Sequence, residues 1–532
     1  MDKEPDKTST TIIADKASTI DGGNKEGKDK DAEILARLGY KQEFRRNFSA
    51  VELFGIGFSI IGIVPSLASV LVFSIPYGGA SAMIWGVRIS YISSTCCHLS
   101  HKHEPTISTH HGLQWAVCGI FLTLIALAMA ELGSAAPTSG GLYYWTFKFS
   151  SPRWRCLLSW IVGYSNTVGN IASVASVDWG CAVQIMAAAS IGSGLTFQAT
   201  TAQTFGVYCA LLFAHGVICS LNPIIVARLQ TPYIVLNILL CLGLIIGLPS
   251  ATPDEFRNNA KYAFGSFDNI SGWNNGWAFI LSFLSPLWAV GSFDSTVHIS
   301  EEAKNANVAI PFAIILATTS SVLIGWGLNI ALAFTMGTDT TTILSSPIGQ
   351  PMATILFNSF GQKGTLSIWA VIVIVQFTMG SSMLTACSRQ IFAFSRDGGL
   401  PLSSFLYNVN PKTHSPIQCV WFSIALSLFL GLLDFAGPSA IGAVFSLVVA
   451  GQYVAYSIPI LARFSGGQEF KPGPFSLGKY GFPVAITAVT FMLFMVLALM
   501  FPASPNPTSN DMNYTAVVLG TSRLSSIEIS VQ

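Results

Sequence analysis

The chain has 532 residues, of which 51% are hydrophobic and only 10% are charged. Its 27 Lys and Arg nearly balance its 26 Asp and Glu, so the formal net charge is +1. A water-soluble protein of this length needs far more surface charge, a disordered chain needs fewer apolar residues, and a nucleic-acid binder needs a basic surface. The composition excludes these classes and leaves a polytopic membrane protein.

The polar residues at the start of the chain and the cysteines point to no folded domain outside the membrane. Residues 1–46 are polar and of mixed charge, so we expect a disordered tail before a transmembrane domain over 47–520. The ten cysteines are scattered without a CxxC pair. They are therefore interpreted as small packing residues rather than as metal or redox ligands.

Long apolar runs predict an all-α fold. A helix of about 20 residues crosses the ~30 Å hydrocarbon layer. We expect 11–12 spans, the second interrupted by an insert and the last truncated before an atypical tail over 521–532. The apolar stretches lie near 51–74, 157–190, 204–222, 231–249, 277–299, 311–336, 365–392, 417–434, 440–462 and 482–502, and the interrupted span combines 81–86 with 115–131.

The distribution of positive charge predicts a cytoplasmic N-terminus, because cytoplasmic loops are rich in Lys and Arg. With that orientation, only Arg257, Lys261 and Lys363 fall in the outer loops. No sorting signal separates the plasma membrane from the vacuolar membrane, and we expect the plasma membrane. The residues placed inside are Arg37, Lys41, Arg45, Arg46, Lys148, Arg153, Arg155, Arg228, Lys304, Arg389, Arg396, Lys412, Arg463, Lys471 and Lys479.

Residues 87–114 interrupt the second span and carry five of the eight histidines. The insert has three interpretations: an outer loop, a zinc site, or the translation of a retained intron. The histidine spacing follows no zinc-ligand pattern. Removing the insert joins 81–86 to 115–131 as one helix of membrane length, and Val87 and Gln114 are compatible with intron border codons. We favour the retained intron.

Two spans carry glycine and proline near their middle. The first, ELFGIGFSIIGIVPSLASVL (52–71), contains Gly62 and Pro65, and the sixth contains Pro286 and Gly291. These residues weaken the helical ladder and free backbone N–H and C=O groups. Close helix packing through small residues is the alternative for the first span. We expect a break in each.

Several motifs resemble those of one transporter superfamily. AELGSAAPTSGGLYYW (130–145), SFDSTVHISEEAKNANVAIP (292–311) and CSRQIFAFSRDGGLP (387–401) resemble, in this order, signatures of the amino acid–polyamine–organocation superfamily. SWIVGYSNTVG (159–169) and DWGCAVQI (178–185) are similar to the fungal amino acid/choline permease branch. The resemblance covers roughly 45–520 and departs from the family at 87–114 and after 520.

The resemblance implies a five-plus-five inverted-repeat fold of the LeuT type, with spans 1–5 and 6–10 related by a pseudo-two-fold axis. Breaks at corresponding positions of the two halves indicate a binding site at the membrane midplane. Half-helix N-termini suit a carboxylate, and exposed carbonyls suit an ammonium group or a coupling cation.

The expected site follows from these breaks. Trp288 or Phe293 would form an aromatic wall or gate, which could also hold a quaternary ammonium by cation–π attraction. Asp178 and Asp294 are candidates for binding the substrate amine or a proton, although Asp178 could simply make a polar contact between helices. The substrate carboxylate is expected at Gly62, Ile63, Val64, Pro65 and Ser66, and the sixth-span break at Trp288, Ala289, Val290, Gly291 and Ser292.

These features predict secondary active uptake of an amino acid or related amine, such as GABA, driven by proton symport and alternating access. A choline or organic-cation permease and a non-transporting nutrient sensor remain alternatives. GxxxxGK[ST] is absent, and no catalytic or metal-binding constellation occurs, so we expect neither an enzyme nor a cofactor or metal. The expected partners are the small-molecule substrate, a proton and the lipid bilayer, with no nucleic acid.

Overall fold

The computed structural model describes residues 31–84, 114–221, 223–507, 513 and 515. The first 30 residues, the insert up to 113 and the tail over 521–532 lie outside the described residues. The interpretations of the insert and of the truncated last span therefore stay predictions.

The described chain is helical, with one small antiparallel pair formed by β1 (Tyr77–Gly78) and β2 (Asp268–Asn269). In chain order the helices are α1 (Ala50–Ile61), α2 (Ile63–Val70), α3 (Gly79–Ile84), α4 (Gln114–Ala135), α5 (Gly141–Phe149), α6 (Arg155–Gly192), α7 (Thr201–Ser220), α8 (Pro223–Ala251), α9 (Ala260–Gly265), α10 (Asn275–Ser282), α11 (Leu284–Ala289), α12 (Ser295–His298), α13 (Ala306–Thr335), α14 (Thr340–Leu344), α15 (Pro351–Arg396), α16 (Ser403–Leu406), α17 (Ile417–Gly431), α18 (Pro438–Ser465) and α19 (Gly481–Ala498).

Ten stretches of the described chain are long and apolar enough to cross a membrane. They are the first span (α1–α2), second (α4), third (α6), fourth (α7), fifth (α8), seventh (α13), eighth (α15), ninth (α17), tenth (α18) and eleventh (α19). The sixth span, α10–α12, is a series of short helices instead. The prediction of an all-α polytopic membrane protein is confirmed.

The second span is long enough without its expected first part. Its helix α4 has 22 residues and is therefore about 33 Å long, which matches the hydrocarbon layer. The short helix α3, which contains residues 81–84 of the expected first part, packs against α4.

The packing of the spans repeats between the two halves. The third span contacts the tenth span, and the eighth span correspondingly contacts the fifth. The third span also contacts the ninth, and the eighth correspondingly contacts the fourth. The contact of the first span with the seventh likewise corresponds to that of the sixth with the second. Each pair is related by a shift of five spans, as the inverted repeat requires.

Burial separates an inner group of spans from an outer one. In the most apolar window of each span, 89% of the first span is buried inside the protein, against 33% of the fifth and of the ninth. The third, eighth and tenth spans are also mostly buried. The breaks of the first and sixth spans therefore lie among inner helices, away from the lipid-facing rim.

The structure differs from the expected disorder in the second part of the tail. Residues 31–37 are helical, and Leu35 and Phe44 are almost fully buried. We call residues 31–48 the N-terminal strap. It is held because Arg46 donates to the carbonyl of Ala303 and forms an ion pair with Asp31.

Candidate functional site

The predicted break in the first span is confirmed and falls at Gly62. This residue has φ +41°, a left-handed conformation that glycine adopts without steric cost, and it separates α1 from α2. Its N–H donates to the carbonyl of Phe58, and its own carbonyl accepts from the N–H of Ser66. The Ser66 hydroxyl donates to the carbonyl of Ile61 at 2.6 Å. The first break thus satisfies these groups within its own span.

The predicted break in the sixth span is also confirmed. Helix α11 ends at Ala289, α12 begins at Ser295, and Ser292 has φ +56°. A side chain on Gly291 would lie 3.0 Å from the carbonyl oxygen of Leu287, so the backbone leaves no room for one. The half-helices next to the two breaks are in contact, since α11 packs against α2.

Gln452 of the tenth span fills the polar side of the sixth-span break. Its Oε1 accepts from the N–H of Ser292 at 3.2 Å, and its Nε2 donates to the Ser292 hydroxyl at 2.6 Å. The same Nε2 is 3.4 Å from the hydroxyl of Ser173 on the third span. A backbone group freed by the break is thereby satisfied by a side chain from another span.

Aromatic and sulfur side chains fill the apolar side of the breaks. The indole N–H of Trp288 donates to the Ser176 hydroxyl at 3.2 Å, and its ring lies 5.0 Å from that of Phe445. Met379 of the eighth span covers Gly62, since a Cβ there would lie 3.1 Å from the Met379 sulfur. The residues at both breaks are buried in this structure.

Asp294 stands at the end of the sixth-span break and is fully buried. The Tyr456 hydroxyl donates to its Oδ1 at 2.6 Å, and the Asn166 amide donates to its Oδ2 at 3.2 Å. His298, four residues further on, lies 3.3 Å from the same Oδ2, and its other ring nitrogen is 2.9 Å from the carbonyl of Ser139. Each oxygen of the Asp294 carboxylate thus accepts at least one hydrogen bond.

Charged groups seal the side of the breaks that faces the N-terminal strap, which we call the N-terminal face. Arg396 contacts Glu301 through two nitrogens at 3.0 Å, and Arg389 contacts Glu302 at 2.8 Å. These four residues are almost fully buried, so removing one partner of either pair would leave an uncompensated charge.

The strap reinforces this seal. The backbone of Phe48 pairs with the chain around Ala303, just after the sixth span. The Tyr40 hydroxyl donates to Asp397 at 2.7 Å. Burial, with the nearby Asp397 charge, raises the pKa of Tyr40 well above its ordinary value, so its hydroxyl keeps its proton and donates at physiological pH.

Asp178 does not join the other expected site residues. It is fully buried and lies 3.0 Å from His215 of the fourth span. It belongs to the same helix as Asn166, the partner of Asp294, but stands twelve residues further on, roughly 18 Å along the axis. The structure therefore brings together the residues over 62–66 and 288–294 and keeps Asp178 in a second polar cluster.

Three residues of these clusters carry no local signal that marked them beforehand: Asn166, Gln452 and Tyr456. Gln452 and Tyr456 lie about 160 residues beyond their partners in the chain. For His298 and His215 a signal existed, because an ionisable side chain inside a span indicates function.

Two cavities of the described chain lie elsewhere. One is lined by residues of the fifth and seventh spans, including Ile245 and Phe334, and by Arg257 from the segment between them. The other lies between Phe121 and the eleventh span. Within the described residues, no group of three or more His, Cys, Asp or Glu could hold a metal ion. The zinc interpretation of the insert falls outside those residues.

Comparison with known proteins gives one consistent family. The family model described as amino acid permease matches residues 108–522. The chain is 37% identical to the GABA-specific permease of Saccharomyces cerevisiae, over 92% of this chain and 81% of that relative. It is 36% identical to an uncharacterized amino-acid permease of Schizosaccharomyces pombe, over 94% of this chain and 86% of the relative. It is 33% identical to amino-acid permease 2 of Neurospora crassa, over 94% and 87%.

Proposed function

Because this chain belongs to the amino acid permease family and is an integral membrane transporter of amino acids or related amines, we propose that it works by proton-coupled uptake. The observation that carries the proposal is the pair of buried breaks at Gly62 and at Gly291–Ser292, on half-helices that pack together. Paired breaks of this kind bind substrate at the midplane of alternating-access transporters.

The substrate carboxylate binds at the start of α2. The N–H groups of Ile63 and Val64 begin that half-helix, where no carbonyl of the same helix lies in position to accept them. The positive end of the helix dipole adds to this attraction. Gly62 and Pro65 set the backbone at the start of α2, which Met379 covers in this structure, and the Ser66 hydroxyl lies beside it.

The substrate amine binds toward the sixth-span break. The carbonyls of Leu287 and Trp288 end α11 and carry its partial negative charge. The substrate displaces Gln452 from Ser292 when it enters, so Gln452 acts as a stand-in that satisfies the break while the site is empty. Trp288 and Phe293 form the apolar wall between the two ends of the site.

The transporter lies in the plasma membrane with its N-terminus in the cytoplasm. Fifteen Lys and Arg on the N-terminal side against three on the other support this orientation. The ion pairs of Glu301 and Glu302 then close the cytoplasmic side, and they separate when the site opens inward.

GABA is the first substrate to test, since a relative is named for it. Purified protein in liposomes should accumulate labelled GABA under an inward proton gradient, and a protonophore should abolish this accumulation. Competition by choline, compared with competition by GABA, distinguishes an organic-cation permease. The neighbouring aromatic rings of Trp288 and Phe445, whose centroids lie 5.0 Å apart, favour it as the second candidate. Saturable GABA binding without accumulation would instead indicate a nutrient sensor.

The variant Gly291→Leu serves as the negative control for the uptake assay. Gly291→Leu places a side chain against the Leu287 carbonyl, so it should show no uptake above that of empty liposomes. Uptake by Gly291→Leu at the wild-type rate would contradict the proposed site.

A further inference from the structure

The pair formed by Asp178 and His215 lies inside the protein, away from the breaks. Both side chains are completely buried, and Asp178 Oδ2 lies 3.0 Å from His215 Nδ1. The other ring nitrogen of His215, Nε2, lies 2.9 Å from the carbonyl oxygen of Phe377 on the eighth span. The third, fourth and eighth spans each supply one partner of this arrangement.

These contacts require a proton between the two side chains. A carbonyl oxygen only accepts hydrogen bonds, so His215 Nε2 carries a hydrogen. Nδ1 then either carries a second hydrogen and donates to the carboxylate, or accepts one from protonated Asp178. In both forms one proton lies between Nδ1 and Oδ2. Without it, a ring lone pair would face a carboxylate oxygen at 3.0 Å in a buried site.

The remaining oxygen of the carboxylate supports a site that changes its protonation. Asp178 Oδ1 is buried and has no hydrogen-bond partner among the described residues. It faces Gly380, where an added Cβ would lie only 2.4 Å from it. A purely structural carboxylate would normally have both oxygens satisfied, as Asp294 does.

The other titratable groups around the pair provide no charge to replace the proton. Cys181 of the third span donates to the carbonyl of Val373, and Tyr208 of the fourth span donates to the carbonyl of Ser427. Cys219, also on the fourth span, donates to the carbonyl of Ser381.

On the eighth span, the charged side chain of Arg389 lies near Cys219. It is already paired with Glu302.

The Asp294 cluster contains a similar contact, because His298 Nε2 lies 3.3 Å from Asp294 Oδ2, but both oxygens of this carboxylate have side-chain donors in Tyr456 and Asn166. His298 Nδ1 donates to the Ser139 carbonyl, and the amide of Asn166 lies within 3.4 Å of His298 Nε2 and 3.2 Å of Asp294. The amide can therefore donate to a neutral His298 or to the carboxylate. The two clusters therefore differ in their carboxylates: Asp178 Oδ1 has no hydrogen-bond partner among the described residues, whereas both oxygens of Asp294 have one.

One short segment of the eighth span connects the pair to the first break. Phe377 supplies the carbonyl for His215, and Gly380 contacts Asp178. Between them, Met379 covers Gly62 and accepts from the Ser66 hydroxyl at 3.8 Å. A shift of this segment on substrate binding therefore reaches both the break and the pair.

We propose that the Asp178–His215 pair binds the proton that is transported with the substrate. One proton enters from the outer side, is shared by Nδ1 and Oδ2, and leaves to the inner side when the third, fourth and eighth spans separate. The pair cannot stay in contact after the proton leaves, so proton release and span movement occur together. This inference rests on the proposed function and names the coupling site within it.

Asp178→Asn tests the inference with little change of shape. The asparagine amide can donate to Nδ1 of a neutral His215, so it replaces the shared proton by a permanent hydrogen bond. In liposomes with a gradient of one pH unit, one-to-one coupling allows about tenfold accumulation of labelled GABA. We expect Asp178→Asn to lose this accumulation, falling to a ratio of one, and to keep exchange of internal for external GABA.

Tyr208→Phe is the matched control, since it removes a buried hydroxyl on the fourth span without touching the pair. It should accumulate GABA as the wild type does. Accumulation by Asp178→Asn and His215→Gln at the wild-type ratio would overturn the inference while leaving proton-coupled uptake intact. Wild-type protein that neither accumulates nor exchanges GABA would count against the proposed function instead.

A measurement without substrate tests the pair directly. Infrared difference spectra of purified protein between low and high pH should contain carboxyl and imidazole changes that are missing in Asp178→Asn and present in Tyr208→Phe. Identical spectra for the wild type and Asp178→Asn would overturn the inference, whatever the transport assay shows.

Discussion

The two breaks differ in how they satisfy the backbone groups that they free. Around Gly62, the hydrogen bonds of the break return to the first span itself, to Phe58 and Ile61. Around Ser292, the freed N–H is satisfied by Gln452 of the tenth span. These bonds of the first break stay within its own span, whereas the sixth break depends on a side chain that a substrate can replace.

The largest expected effect comes from filling either break. Gly62→Leu forces a left-handed residue against Met379, and Gly291→Leu places a side chain against the Leu287 carbonyl. Strain of about 3 kcal/mol corresponds to roughly a 100-fold loss of uptake. This loss is measured as uptake of labelled GABA, normalised to the amount of protein at the cell surface. Gly206→Leu is the control, because nothing lies within 4 Å of a Cβ at that position.

The next effect should come from Asp294→Ala at the end of the sixth-span break. It removes the acceptor of Tyr456 and Asn166, and each buried donor left unpaired costs about 1–3 kcal/mol. We expect uptake to fall at least tenfold and the melting temperature of the purified protein to fall. A variant with the wild-type melting temperature and uptake would show that the cluster is not needed.

Gln452→Leu sharpens the comparison between the breaks. It removes the side chain that satisfies Ser292 in the empty site, so the substrate no longer has to displace it, and one hydrogen bond of about 1 kcal/mol corresponds to about a fivefold fall in KM. Ser66→Ala should change KM less than Gln452→Leu, since its hydroxyl bonds mainly within its own span, to the Ile61 carbonyl at 2.6 Å, and its contact with the Met379 sulfur is longer, at 3.8 Å. Equal effects in a concentration series of uptake would remove the distinction drawn between the two breaks.

The smallest effect is expected at the seal on the N-terminal face. Tyr40→Phe removes one donor to Asp397, but the Tyr143 hydroxyl still donates to the same oxygen at 2.8 Å. We expect less than a threefold change in uptake rate, because the remaining Tyr143 hydrogen bond limits the loss to about 0.5 kcal/mol. The loss of uptake rate in the double variant Tyr40→Phe with Tyr143→Phe should exceed the sum of the losses in the two single variants.

The sequence predicted the backbone of the site better than its side chains. Gly62 and Gly291 stand out because glycine and proline inside an apolar span are a local signal, and the structure places a break at each. Gln452 and Tyr456 carry no such signal, since their role depends on which face of the tenth span turns toward the sixth. Asp178 and Asp294 looked alike as buried carboxylates, yet they lie in separate clusters, because position along a chain does not give neighbours in space.

The pairing of Phe48 with the chain around Ala303 has a mechanical consequence. It joins the start of the first span to the end of the sixth span. The half-helices α1 and α12 on that side therefore have to move together. Shortening the chain from its start should thus be harmless until the cut reaches the buried Asp31 and Leu35. A longer truncation would remove the N-terminal strap that joins the first span to the sixth. Transport would then become uncoupled or stop, rather than only becoming slower.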